Sequence, residues 1–358
     1  MRVVAKIGTA SITDAKGAIE RGAIAKLCDE VGDLRKQGHE VIVVSSGAVA
    51  AGVAAVGLSE RPADMPTLQA ISAAGQSRLV EAYNQELGRH GLVGAQLLVS
   101  SMDFVARHQY LQLRSTMNRL LELGCVPIVN ENDAIANDEL RYGDNDRIAA
   151  MIANSINADV LVLLTDMEGV FTADPRTDSS ATLVPLVRAD DPLLSITADA
   201  GGSGRGSGGM ASKLIAARMA SSSGIRSVIA RASRKGVLSG SVSDELVGTT
   251  FEAHDRKLSA RKLWIAFAAE AAGTVFVDAG ARAALTDRPT SLLPAGITNV
   301  TGSFESGQVV EISDGDSVFA RGLTSMASTE MAEAAGVSGV GHVVHRDDLV
   351  LLSPDLLA

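Results

Sequence analysis

Two polar clusters stand close together in this chain: Asn130-Glu131-Asn132-Asp133, and Gly143-Asp144-Asn145-Asp146 just ahead of an apolar helical run. Carboxylates and carboxamides beside buried elements are costly to desolvate, and they persist where they hold a polar ligand. A helix N-terminus already favours anions. Several aspartates at such a place therefore predict a bound cation or ammonium group that balances them. Lysines and glycines supply the complementary half. Gly208-Gly209-Met210 opens a helix with Lys213 in its first turn, and free amides plus a lysine make a phosphate site. Lys6-Ile7-Gly8 offers a second lysine beside backbone that can approach closely, and Ser45-Ser46-Gly47 adds donors. Thr165-Asp166 and Thr172-Ala173-Asp174-Pro175 add polar groups after a strand. Two lysines, several glycine turns and spare carboxylates suit phosphoryl transfer, where catalysis is positioning plus charge neutralisation.

Each piece alone has a plainer reading. Lys6 could be a solvated surface residue, Asp144 a helix N-cap, and the Gly-rich stretch 200–209 a linker. Their joint placement at the strand ends and helix starts of one sheet is what points to a site. Two motif matches carry no weight. Gly204, Gly206 and Gly209 fit G-x-G-x-x-G, but no strand precedes them, and no Gly-Lys dipeptide exists to make a Walker A loop. His345-Arg346-Asp347 has no D-F-G after it and lies in a strand-rich region, so His345 reads as structural.

The elements that must position these groups are legible as periodicities. Residues 2–7, 40–44 and 159–164 are continuous apolar runs that end in small polar residues or glycine, the pattern of parallel strands buried on both faces. Further strand signals lie at 94–99, 126–130 and 226–230, and helical stripes at 23–36, 67–87, 115–123, 147–156 and 213–222. The alternation predicts an α/β domain with a mostly parallel sheet sandwiched by helices, binding its ligands at the strands' carboxyl ends. It should span 1–255, with a charged linker over 256–270. Short alternating strands at 274–277, 307–312, 317–321 and 343–344 then predict a small β-rich domain over 271–358.

Bulk composition agrees. With 46% hydrophobic but only 3% aromatic residues in 358, the core must be aliphatic. No apolar run reaches the ~20 residues of a membrane span. The chain enters its first strand directly, without a charged-then-apolar leader. Cys28 and Cys125, both expected in the core and without metal spacing, fit a reducing compartment; together these predict a cytoplasmic protein. The net charge of −10 is uneven: from Ile265 onward, 4 Lys and Arg stand against 12 Asp and Glu, which is −8.

Lys6-Ile7-Gly8-Thr9, Ser45-Ser46-Gly47-Ala48, Ala74-Gly75-Gln76, the two acidic clusters, Thr165-Asp166, Thr172-Ala173-Asp174-Pro175-Arg176 and Gly208-Gly209-Met210-Ala211-Ser212-Lys213 follow one another in an order that resembles the bacterial glutamate 5-kinases of the amino acid kinase family. Gly273-Thr274-Val275, Ser291-Leu292-Leu293-Pro294-Ala295-Gly296 and His345-Arg346-Asp347-Asp348 resemble the PUA domain those enzymes carry. The resemblance implies ATP-dependent phosphorylation of the γ-carboxylate of L-glutamate, the first step of proline synthesis. It implies that Ser46, Asp133, Asp144 and Asn145 hold glutamate, and that Thr165, Asp166, Ser207, Gly208, Gly209, Met210, Ala211, Ser212 and Lys213 hold ATP with Lys6. Lys6 and Lys213 would neutralise the transferring phosphoryl group, with Asp146 orienting them, and Mg²⁺ would arrive with ATP rather than in a protein cage. Ala10 and Ser207 stand where that family commonly has Ser and Thr; neither change removes a charge.

A kinase for N-acetylglutamate or aspartate is the nearest rival. Asp133 and Asp144 favour a free ammonium over an acetamido nitrogen. An RNA-binding protein is a rival from another class, but 4 basic residues against 12 acidic ones in the tail predict no nucleic-acid partner, and nothing predicts a membrane partner. The resemblance further implies proline as a feedback inhibitor, a homo-oligomer (dimer or tetramer), and contact with the next enzyme of the pathway.

Overall fold

The apolar runs fold as buried strands. The computed structural model describes residues 1–14, 17–135, 145–188, 209–254, 258–269, 271–288, 290–337, 339 and 341–352, and the chain divides into two units, Met1–Lys257 and Leu258–Ala358. The first unit runs β1 (Arg2–Ile7), α1 (Arg21–Lys36), β2 (Glu40–Ser45), α2 (Ala48–Ala55), α3 (Met65–Gly88), β3 (Gly94–Val99), α4 (Arg107–Glu122) and β4 (Val126–Glu131). It continues with α5 (Asn145–Ser155), β5 (Val160–Thr165), β6 (Leu186–Val187), α6 (Met210–Ser222), β7 (Arg226–Arg231), α7 (Val237–Val242) and β8 (Gly248–Phe251).

Its eight strands form one sheet in the order β3-β4-β2-β1-β5-β7-β8-β6. Neighbours are parallel except β7 with β8. After β1 the chain moves to one side of the sheet through β2, then crosses to the other through β5. The strand order reverses beside β1, and its carboxyl end is where such sheets hold ligands. Successive side chains of β1 alternate faces. Val3, Ala5 and Ile7 join a core with Ile24, Leu27 and Val31 of α1, Leu79 and Tyr83 of α3, and Val237 and Leu238 of α7. Lys6 belongs to the opposite set.

Helix α3 starts where its sequence says it should: Asp64 accepts from the Thr67 N–H at 3.0 Å, and Pro66 occupies the first turn. Helices α2 and α3 touch through glycine. A Cβ on Gly52 would lie 1.8 Å from the Ile71 carbonyl oxygen, and one on Gly75 1.9 Å from that of Ala48. No larger residue fits either position without moving a helix.

The second unit holds α8 (Ala260–Leu263), β9 (Gly273–Val277), α9 (Ala279–Asp287), β10 (Ile297–Gly302), β11 (Val309–Ser313), β12 (Val318–Thr324), α10 (Ser328–Ala334) and β13 (Val344–Leu351). Its strands form a separate sheet, β10-β9-β11-β12-β13, antiparallel except β9 with β11. Val275, Leu285, Val310, Ile312, Phe319 and Val343 lie in its core. The span read as a linker, 256–270, contains α8 running into a π-helical turn, Trp264–Ala268. Leu263, Trp264 and Ile265 are buried there. Cys28 is buried as expected, and burial pushes its thiol up to about 12, so it is inert. Cys125 is only half-buried, because it lies one residue before β4 rather than within it. Among the described residues, no helix is long and apolar enough to cross a membrane.

Candidate active site

The strand-to-helix turns at the carboxyl ends of β1, β2 and β4 meet the first turns of α5 and α6. Lys6 ends one residue short of the β1 terminus, with its side chain on the α5 face. Its Nζ lies 2.7 Å from Asp146 Oδ1. Lys213 Nζ, from the first turn of α6, lies 3.2 Å from Asp146 Oδ2. The Ser212 hydroxyl donates to the same oxygen at 2.6 Å. Lys6, Asp146 and Lys213 are 3%, 1% and 5% exposed, so three formal charges share a dry volume. Burial pushes the Asp146 carboxyl up, but the Lys6 and Lys213 charges and the hydrogen bonds from Lys6 and Ser212 outweigh it and hold the group at about 2. The carboxylate also sits in the first turn of α5, where the helix dipole favours an anion. Two ammonium groups thus share one carboxylate, and together with the first amides of α6 at Gly209, Met210 and Ala211 they are suited to an anionic phosphoryl group.

This arrangement corrects one expectation. The local composition read the aspartates near 144–146 as calling for an external cation; Asp146 instead pairs with the chain's own lysines, in keeping with the orienting role that the resemblance implied for it. Lysines remote in sequence reach it only because β1 and α6 flank α5, and local sequence cannot show that. Asp144, Ser207 and Gly208 lie outside the described residues.

A second, neutral cluster adjoins the charged one. Asn145 precedes Asp146, and its Nδ2 donates to Ser46 Oγ at 3.2 Å and to Asn130 Oδ1 at 3.0 Å. Ser46 follows β2 and precedes Gly47, whose φ of +102° makes the sharp turn into α2 that a side chain would strain. The Ser46 N–H donates to the Ile7 carbonyl at 3.2 Å, tying the β1 and β2 termini together. Asp133, two residues beyond β4, accepts from the Ser72 hydroxyl of α3 at 3.3 Å. It is 7% exposed. Burial raises its carboxyl to about 6, against the smaller opposing effects of Ser72 and Arg61. A buried carboxylate held high in this way is stabilised by an arriving ammonium group. Ser72 and Asn130 had no role assigned from sequence; the Asn130 side chain was visible only as part of its motif, and Ser72 gave no signal at all.

Thr165 ends β5, buried, and its hydroxyl donates to Asp166 Oδ1 at 3.0 Å, while Asp166 itself is exposed. A cavity of about 690 Å³ opens beside them, lined also by Ala10, Arg21, Lys26 and Arg231. It shares Thr165 and Asp166 with the expected ATP residues, but Lys6, Asp146 and Lys213 do not line it. Ile7 and Leu27 in its wall belong to the core on the sheet's other face.

Two family models agree with this architecture. The amino acid kinase family model matches residues 1–231, and the PUA domain model matches 273–346. A glutamate 5-kinase from Pelobacter propionicus is 40% identical, over 98% of this chain and 97% of its own. One from Myxococcus xanthus is 44% identical, over 98% of this chain and 96% of its own. A solved UMP kinase from Bacillus anthracis is 16% identical with a TM-score of 0.48, and the match covers 70% of this chain and 95% of that one.

Proposed function

The chain belongs to the amino acid kinase family, with glutamate 5-kinases as relatives along nearly its whole length, and on that premise we propose that it transfers the γ-phosphoryl group of ATP to the γ-carboxylate of L-glutamate. The products are ADP and L-glutamate 5-phosphate, and the reaction is the first step of proline synthesis. One observation carries this reading: two buried lysines share one buried aspartate at the carboxyl end of the central strand. A carboxylate oxygen attacks the γ-phosphorus, the bond to the ADP oxygen breaks, and negative charge spreads over the transferring oxygens. Lys6 and Lys213 would meet that charge, and Asp146 would keep both ammonium groups aimed without neutralising them. Because Asp146 is committed to the lysines, Mg²⁺ is read as part of the ATP substrate, riding on its phosphates.

Asp133 supports a substrate with a free α-amine, since a neighbouring ammonium favours its charged form and an acetamido nitrogen does not. Proline carries the same α-carboxylate and a charged amine, which supports inhibition by competition at that carboxylate. The deciding experiment is ADP release with L-glutamate, N-acetyl-L-glutamate and L-aspartate, trapping the acyl phosphate with hydroxylamine. Turnover with L-glutamate alone is expected; equal turnover with N-acetylglutamate would sink the assignment.

A further inference from the structure

An amide has a donor end and an acceptor end, and one backbone N–H fixes which is which throughout the neutral cluster. The Glu131 N–H can only donate, and it meets Asn130 Oδ1 at 2.9 Å and Asn145 Oδ1 at 3.2 Å. Both side chains must then turn their NH₂ groups away from it. The Asn145 NH₂ goes to Ser46 and Asn130, and the Asn130 NH₂ goes to Gln76 Oε1 at 2.8 Å. Gln76 therefore receives with its oxygen and has an NH₂ group to give. Gln76 is 5% exposed, and its Nε2 is buried with no hydrogen-bond partner among the described residues. A buried donor left unpaired destabilises a fold and calls for something that accepts.

The position of Gln76 says what that acceptor is. Gln76 lies four residues after Ser72 on α3, so the two share one face of the helix. Ser72 is the partner of Asp133. A carboxylate that takes an ammonium group and, one helical turn along, a neutral donor are the two poles needed by an α-ammonium and α-carboxylate hanging from one carbon. The charged centre at Lys6, Asp146 and Lys213 is left for the other end of the substrate.

We propose that Gln76 is a substrate-binding residue whose Nε2 donates to the α-carboxylate of the amino-acid substrate, alongside Asp133 on the α-ammonium. This rests on the glutamate reading above. The test compares the full wild-type chain with Gln76→Glu and Gln76→Met in steady-state ADP release at about pH 8, above the ordinary glutamate range. The Glu variant keeps an oxygen for the Asn130 NH₂ but replaces the donor with an anionic oxygen that repels the α-carboxylate; the Met variant keeps the volume, adds no charge and loses both groups, so it isolates the lost hydrogen bond. In each, KM for glutamate should rise about 10- to 100-fold, the effect of losing a hydrogen bond to a charged group. KM for ATP and kcat should stay within about threefold, and thermal unfolding should identify the variants that remain folded. A glutamate KM within about twofold of wild type in either folded variant would overturn the proposal. So would a fall in kcat with KM unmoved, which would place the amide at the transferring group instead. A wild-type chain that releases no ADP with glutamate is a separate result, and it removes the substrate reading itself whatever the variants do.

Discussion

Two adjacent residues at the start of α5 serve different surroundings. Asp146 stands in a charged volume with two lysines, while Asn145 stands in a neutral one built of amides and a hydroxyl. The contrast follows from what each region would have to do. Burying three charged groups carries a heavy desolvation cost, and even good pairing often only breaks even. That cost is tolerable where charge itself is transferred, because preorganised charge in a dry site is worth most there. Selecting a substrate calls for direction rather than field strength, and neutral amides supply direction with less desolvation. Asp133 is the exception on the neutral side, and its carboxyl raised to about 6 is the trace of that burial.

The sharpest way to break the comparison is to remove a charge. Lys6→Ala and Lys213→Ala should each lower kcat by about 10²- to 10³-fold, the range for losing one preorganised donor to developing charge. KM for glutamate should change far less. Steady-state kinetics in both substrates reads this directly, and a raised KM with intact kcat would move that lysine to the binding side of the divide.

A smaller effect should come from pH. Without substrate Asp133 is a carboxylate above about 6 and neutral below. An α-ammonium binds the carboxylate form and draws its pKa back down. Binding is therefore strongest above about 6 and weakens as pH falls through it, so KM for glutamate should rise about tenfold per pH unit below that point. Asp146, held at about 2, stays ionised throughout, so kcat at saturating glutamate should vary less. An Asp133→Asn chain should show a raised KM without this slope. A flat wild-type KM between about pH 5 and pH 8 would separate Asp133 from the ammonium group.

The least effect should come from deleting the second unit. Both clusters lie within Met1–Lys257, so a chain ending at Lys257 should fold and keep glutamate-dependent ADP release within about tenfold of the full chain. A folded truncation without turnover would show that the tail supports the chemistry.

How much of this was readable in advance depended on where each signal lay. The strands flanking the site were plain, because 3–7, 41–44 and 160–164 are buried on both faces and, Lys6 apart, entirely apolar. β10 was missed, since most of Ile297–Gly302 faces outward and reads as mixed polarity. The first half of α4 was missed for a similar reason: Arg107–Leu113 shows no buried face, and only Met117 and Leu121 are covered. At the site, the residue types were legible locally, while the pairing of Asp146 with the two lysines was implied only by the resemblance. Lys6 and Asp146 are far apart in sequence, and their contact is a property of strand order. Amide polarity was invisible altogether, because no side chain sets it.

That last point bears on how the chain can vary. The hydrogen that orients Asn130, Asn145 and Gln76 belongs to the peptide bond at Glu131. Every amino acid but proline supplies that hydrogen. Drift at position 131 can therefore alter the charge and size of the side chain, and with them the local fit, yet it leaves the handedness of the relay intact. Inheritance of the donor's direction is in this sense insulated from the genetic code, and proline is the one codon family that can erase it.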